Sequence, residues 1–392
     1  MNLKTLLSAQ EKAFPISSTE NRQKQLKTMK SVKALDDNIY MLEYQSDYDI
    51  DGLLKEGVSS IGGLLKFMAK RSHLSKKAFK IGEVKGGGCS TFNAVTPDGD
   101  YILGRNFDFK IAPCMVLWTH PENHYASISM VDTNFLAYGT YVNKYNKINS
   151  YQSLLAPYCC VDGINEKGLS IAVLQIRAKP TKQTDTSKKN ITTTAMIRAV
   201  LDTCADVDEA VKLFSAYNMN DSLGVAYHYQ LADASGRSVV IEYIDNKLYV
   251  YEKNNEAYGI TGSVYEEDKV DFQYVSNYSI TKNTGSYKVE QHGEDRTEAV
   301  INSISNKNGV LTEIEAMDLL SYVKLDYDHP KYPWRVGALW SAVYNTNKKT
   351  VMLAANMDYS KVYTFGIDSP CKVLEKEGIS KTAYPVGNWK YL

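Results

Sequence analysis

From Ser90 onward, apolar and polar positions alternate in short runs broken by turn residues, the period expected of half-buried strands. Three such pairs read as β-hairpins. STFNAV and YILGRNFDF flank the turn Pro97-Asp98-Gly99-Asp100, and YHYQLAD and SVVIEYI flank Ala234-Ser235-Gly236-Arg237. ALWSAVYN and TVMLAAN flank Thr346-Asn347-Lys348-Lys349. Between them the spacing changes to helical in TTTAMIRAVLDTCA, DVDEAVKLFSAY and TEIEAMDLLSYV, the last opened by a capping box from Thr312 to Glu315. Hairpins with helices grouped between them predict an α+β layered sandwich of antiparallel sheets.

The stretch before this pattern differs. Residues 1–35 are polar and Lys-rich, with helical stretches at best. NIYMLEYQ then reads as a strand, and DIDGLLKEGVSSIGGLLKFMAKR sets Leu53, Leu54, Val58, Ile61, Leu64 and Leu65 near helical spacing, weakened in the middle by Gly62 and Gly63. The segment ends in KIGEVKGGGC, whose three glycines Gly86, Gly87 and Gly88 open conformations closed to other residues. This predicts one domain over 89–392 preceded by a folded, partly helical extension over 1–88.

Composition narrows the partners. The 392 residues are 44% hydrophobic and 23% charged, enough for a large core without metals or disulfides. Lys+Arg and Asp+Glu are both 45 with no like-charged block, so no nucleic-acid or anionic-membrane footprint is present and a small or neutral ligand is expected. The sequence leaves self-association into a homo-oligomer open. The six cysteines, at 89, 114, 159, 160, 204 and 371, form no C-x-x-C pair, and adjacent Cys159 and Cys160 suit ordinary bridges poorly. Mostly free thiols follow. The start carries Leu3, Leu6 and Leu7, but Glu11 and Lys12 interrupt it before a signal-length apolar run develops, so a cytoplasmic protein is the expectation.

Cys89 concentrates the candidate chemistry. It follows the glycine triplet, opens a strand, and meets Arg105 and Asp108 on the returning arm of its hairpin. A guanidinium favours the thiolate, which is the nucleophilic form. If Cys89 became a chain terminus, its α-amine, with a reference pKa of about 7.8, could take the thiol proton and hand it to a leaving amine, so that no histidine is required. Asp108 would hold that amine.

The run GCSTFNAVTPDGDYILGRNFDF resembles the opening of the mature chain in the choloylglycine hydrolase superfamily, with Arg105 and Asp108 standing 16 and 19 residues after the cysteine. DGINEKGLSIAVLQ (162–175) is similar to that family's second block, and ALWSAVYNTNKKTV to its closing hairpin. The resemblance implies a four-layer αββα sandwich of the N-terminal-nucleophile type. It further implies hydrolysis of a linear, non-peptide N-acyl amide through a thioester, with neither cofactor nor metal. Carried over by position, Cys89 is nucleophile and base, Arg105 supports the thiolate, and Asp108 fixes the amine. Gln175 stands where relatives carry an oxyanion-binding residue, and its side-chain amide could donate there. For a later family Asn, Gly262 and Asn277 compete. Asn277 keeps the residue type and is taken here, which makes 255–272 an insertion. Arg296 in GEDRTEAV matches the last family position.

Eighty-eight residues precede Cys89, as in the acyltransferase and acid-ceramidase-like branches, where a folded propeptide is cut at the cysteine. The cut is expected between Gly88 and Cys89, with the N-terminal fragment kept as a small subunit.

Three other readings stay open. Acyl transfer to another amine uses the same intermediate. A non-catalytic binding protein on the same scaffold fits the 29 tyrosines. A papain-like Cys/His enzyme needs one of the histidines His73, His120, His124, His228, His292 or His329, and none lies in a recognisable context; His228 reads as a sheet residue. Zinc chemistry lacks an HExxH motif.

Overall fold

The computed structural model describes residues 19–72, 87–136, 150–221, 224–252, 272–281, 293–330, 333–379 and 389. Its helices are α1 (Thr19–Ser31), α2 (Ile50–Glu56), α3 (Ile61–Ser72), α4 (Thr193–Thr203), α5 (Val207–Ala216), α6 (Glu294–Ser305) and α7 (Glu313–Val323). One sheet runs through β1 (Lys33–Ala34), β2 (Ile39–Tyr44), β5 (Cys114–Thr119), β6 (Ser127–Asp132), β7 (Cys160–Asn165), β8 (Ser170–Ile176), β11 (Ala226–Ala232), β12 (Ser238–Ile244) and β13 (Lys247–Glu252), in that order. The second runs through β14 (Tyr274–Val275), β3 (Gly88–Val95), β4 (Tyr101–Lys110), β16 (Arg335–Asn345), β17 (Thr350–Ala355), β18 (Val362–Gly366) and β19 (Glu375–Glu377), with β15 (Asp326–Asp328) on β16. The short parallel pair β9 (Lys189–Thr192) and β10 (Tyr217–Asn220) stands apart.

The sheets face each other through β3 and β8. Helices α4 and α5 cover the nine-stranded sheet, and α6 and α7 cover the other, which gives the expected four layers. All three predicted hairpins form, β3–β4, β11–β12 and β16–β17, because each burial pattern suits a sheet covered on both faces. The Thr312 hydroxyl accepts from the Glu315 N–H and the Glu315 carboxylate accepts from the Thr312 N–H, completing the capping box at α7.

One local expectation shifts. The helical spacing over 49–71 is carried by two helices, and the break falls at 57–60 rather than at Gly62 and Gly63. Asp49 caps α2 by accepting from the Gly52 N–H at 3.0 Å, and Gly57 ends it at a φ of 75°. Gly62 and Gly63 fall in the first turn of α3, where a weak helix former costs little.

The N-terminal segment is built into the sandwich. β2 pairs in parallel with β5 from Ile39↔Cys114 to Tyr44↔Thr119, and lies inside the sheet rather than at its edge. Behind it, the Tyr48 hydroxyl donates to Asp202 at 2.8 Å, and Asp202 pairs with Arg198 at 2.7 Å, all three buried. Among the described residues no helix is long and apolar enough to cross a membrane.

Candidate active site

Hairpin register decides which groups meet at Cys89. In β3–β4, Gly88 lies opposite Asp108, Cys89 opposite Phe107 and Thr91 opposite Arg105. The nucleophile candidate, the peptide bond before it and both charged residues therefore occupy one buried ribbon. Burial pushes the Cys89 thiol up, and the Arg105 guanidinium and the main-chain N–H of Gln175 pull it back. Asp108 adds to the upward push.

Arg105 is fully buried and tied to a residue the motif reading left without a role. Its Nε donates to Asp162 Oδ2 at 3.1 Å and its Nη1 to the Asn106 carbonyl at 2.9 Å. Asp162 also accepts from Trp340 Nε1 at 3.0 Å and from the Tyr344 hydroxyl at 2.5 Å. The Arg105 Nη2 has no hydrogen-bond partner, which leaves it available to a thiolate. A buried carboxylate on β7 needs a cation, and Arg105 supplies it.

Asn277 and Arg296 meet at the backbone of Cys89. The Cys89 N–H donates to Asn277 Oδ1 at 2.7 Å, and Asn277 Nδ2 donates to the Gln175 carbonyl at 2.7 Å. Arg296 reaches the Cys89 carbonyl at 2.9 Å and Ser90 Oγ at 2.8 Å through Nη1, and Asn277 Oδ1 at 2.8 Å through Nη2. The rival position, Gly262, and nearly all of 255–272 lie outside the described residues.

In the intact chain the peptide nitrogen of Cys89 donates to Asn277, while Asp108 lies on the strand opposite and faces other donors. Asp108 accepts from the Leu325 N–H at 3.2 Å and stands 3.6 Å from Arg296 Nη1, while its Oδ2 has no hydrogen-bond partner. Burial raises its carboxyl to about 6, against the pull of Arg296. Gln175 contributes its main chain, with its N–H toward the thiol and its carbonyl to Asn277. Its pairing with Tyr227 across β8–β11 fixes that main chain.

Beside the thiol lies an apolar pocket. Phe107, Phe109, Phe135, Val161 and Val173 line it from the sandwich, and Ile61, Leu64, Leu65 and Met68 of α3 from the N-terminal segment. Gly87, Gly88 and Cys89 lie along its wall. A Cβ at Gly88 would stand 2.4 Å from Leu325 Cδ1 and 3.0 Å from Asn277 Oδ1, so it would require the Leu325 side chain to move.

Known proteins resemble the chain in sequence and in fold. The chain is 28% identical over 200 residues to a penicillin V acylase of Pectobacterium atrosepticum, covering 46% of this chain and 51% of that protein. It is 26% identical over 187 residues to a bile salt hydrolase/transferase of Clostridium perfringens, covering 42% and 51%. The match thus spans about half the length of these curated relatives. A variant of the conjugated bile acid hydrolase from Clostridium perfringens, solved as a crystal structure, superimposes with a TM-score of 0.50 at 15% identity over 76% of this chain and 100% of that one, a likeness of fold. The profile of the linear amide C–N hydrolases, choloylglycine hydrolase family, matches residues 89–290, just over half of the chain, and the protein belongs to that family.

Proposed function

We propose that the protein is a self-processing cysteine amidase that hydrolyses linear amides carrying a hydrophobic acyl group. One observation carries the reading: the Cys89 thiol, beside a buried guanidinium, adjoins an apolar cavity that also touches the Gly88–Cys89 peptide. In the first reaction the thiol attacks the Gly88 carbonyl carbon and the C–N bond breaks. The acyl group passes to sulfur, and the nitrogen takes up a proton to become the α-amine of Cys89. Water then hydrolyses the thioester and leaves Gly88 as a carboxylate. Absence of a Gly88 side chain lets Asn277 and Leu325 press against this bond.

In the second reaction the new amine takes the thiol proton, and Arg105 stabilises the thiolate. Sulfur attacks the substrate carbonyl. Donors around Asn277 and the Gln175 main chain supply stabilisation for the developing oxyanion. The ammonium returns its proton to the leaving amine, and water, activated by the same amine, releases the acid. Asp108 Oδ2, which accepts no hydrogen bond and stands 3.6 Å from Arg296 Nη1, is the acceptor on hand for the ammonium once the peptide is cut. Release of residues 1–88 would expose β5 and remove the α3 wall, which supports a retained small subunit.

The relative named as a hydrolase/transferase favours acyl transfer as the second reading, since the acceptor alone differs. Intact-mass measurement of the protein and of Cys89→Ala is the test, joined to release of amine from N-acyl amino acids, N-acylethanolamines, conjugated bile salts, ceramides and penicillin V. Wild type is expected to split at Gly88–Cys89 and C89A to stay whole. Hydrolysis by a full-length wild-type chain would overturn the self-processing step, and inactivity of the split protein on every amide would overturn the amidase reading.

A further inference from the structure

Asn277 meets Cys89 from a segment with little structure of its own. β14 is two residues long and pairs with β3 only at Tyr274↔Phe92 and Val275↔Thr91. Residues 276–281 form no helix or strand. Such a segment keeps its place only if other groups hold it: Gly293, Arg296 and Thr297 at the start of α6 bond Ser276 and Asn277, and further holders come from the opposite sheet.

His228 on β11 and Glu242 on β12 are cross-strand partners, both fully buried. The His228 Nε2 stands 2.8 Å from the Ser276 carbonyl and its Nδ1 3.3 Å from Glu242 Oε1. A carbonyl only accepts, so Nε2 donates to Ser276, and Nδ1 faces the Glu242 carboxylate. Glu242 in turn accepts from the Ile280 N–H at 3.0 Å, the Thr281 N–H at 2.8 Å and the Ser279 hydroxyl at 3.0 Å. The pair thus grips residue 276 on one side of Asn277 and residues 279–281 on the other. Neither member touches Cys89, Arg105 or Arg296 in any hydrogen bond or ion pair described.

We propose that His228 and Glu242 form a positioning pair that holds Asn277 against the Cys89 nitrogen and affects the chemistry through Asn277 alone. The proposal rests on Cys89 being the working thiol. A buried, hydrogen-bonded pair suits this task because its geometry tolerates little displacement, and a shift of about 1 Å at a reacting centre can cost about a hundredfold in rate.

A double-mutant cycle tests it with His228→Gln, Glu242→Gln and Asn277→Ala, alone and with each pair variant combined with N277A. Three rates are read: cleavage at Gly88–Cys89 by intact mass, alkylation of Cys89 by chloroacetamide, and kcat and KM for a hydrolysed amide. H228Q and E242Q should each slow cleavage by at least about tenfold and lower kcat with KM within about threefold, as expected of misplacement rather than lost binding. In the N277A background either change should add less than about threefold. Equal cost in both backgrounds would overturn the proposal, as would wild-type rates in both single variants. E242Q preserves side-chain shape and carries the cycle alone if H228Q does not fold. Alkylation needs neither cleavage nor a substrate, so an unprocessed or amide-inactive wild type would sink the proposed function while the cycle is still read.

Discussion

Replacing Asp162 by Asn tests the charge behind Arg105 without changing volume. The two side chains are fully buried with Nε and Oδ2 3.1 Å apart. At an effective dielectric of about 20 a unit pair at that distance attracts by roughly 5 kcal/mol. Asn keeps one acceptor oxygen, but its new NH₂ faces donors among Arg105, Trp340 and Tyr344, and a buried polar clash of that kind costs about 1–3 kcal/mol. Breaking a buried pair by removing one partner generally costs about 3–5 kcal/mol, so a loss of about 4 kcal/mol is expected at pH 7. Urea unfolding followed through the four tryptophans reads this, with m unchanged. Chemistry should move the other way. Relieved of its counter-ion, Arg105 should favour the thiolate more strongly, so the pH midpoint of Cys89 alkylation should fall. A stability loss below about 1 kcal/mol or an upward midpoint would refute this account of Asp162.

Three further outcomes follow from the same geometry. Gly88→Ala should slow cleavage at Gly88–Cys89 by at least about tenfold, and adding Leu325→Ala should recover part of the rate by removing the 2.4 Å contact, as intact-mass time courses would show. Substrate turnover should fall as pH drops through about 6, where Asp108 takes up its proton and can no longer hold an ammonium; an acid limb that persists unshifted in Asp108→Asn would refute the assignment. Burial raises Asp132 from 3.8 to about 7, so the folded state holds that proton more tightly than the unfolded one. Its stabilising contribution is then complete below pH 4 and lost as pH rises through 7; Asp132→Asn should flatten this part of the stability curve, by up to about 4 kcal/mol at pH 8.

What could be read from sequence is what one local ribbon encodes. Cys89, Arg105 and Asp108 share a single hairpin, so turn position fixes register and register fixes proximity. The capping box at Thr312 was legible for the same reason, its partners being three residues apart. Asp162, His228 and Glu242 were not assigned roles because their partners stand on other strands or the opposite sheet, which local spacing does not encode. A motif also marks a position without saying which atoms meet there: it is the Gln175 main chain that faces the thiol and Asn277. The split between α2 and α3 was hidden because apolar spacing continues across it: two successive helices packed on the same core each need an apolar face.

The placement of β2 inside the sheet ties chain cleavage to folding in one direction. While the chain is intact, β2 finds β5 at the high effective concentration set by their covalent connection. If Gly88 and Cys89 part as proposed, the same pairing becomes a meeting of two molecules, diluted by whatever volume surrounds them. The cut protein would hold its shape only as long as it never unfolds. Heating before and after processing should show it: the whole chain should regain its structure on cooling, independent of concentration, whereas the split form should refold with a yield that falls on dilution.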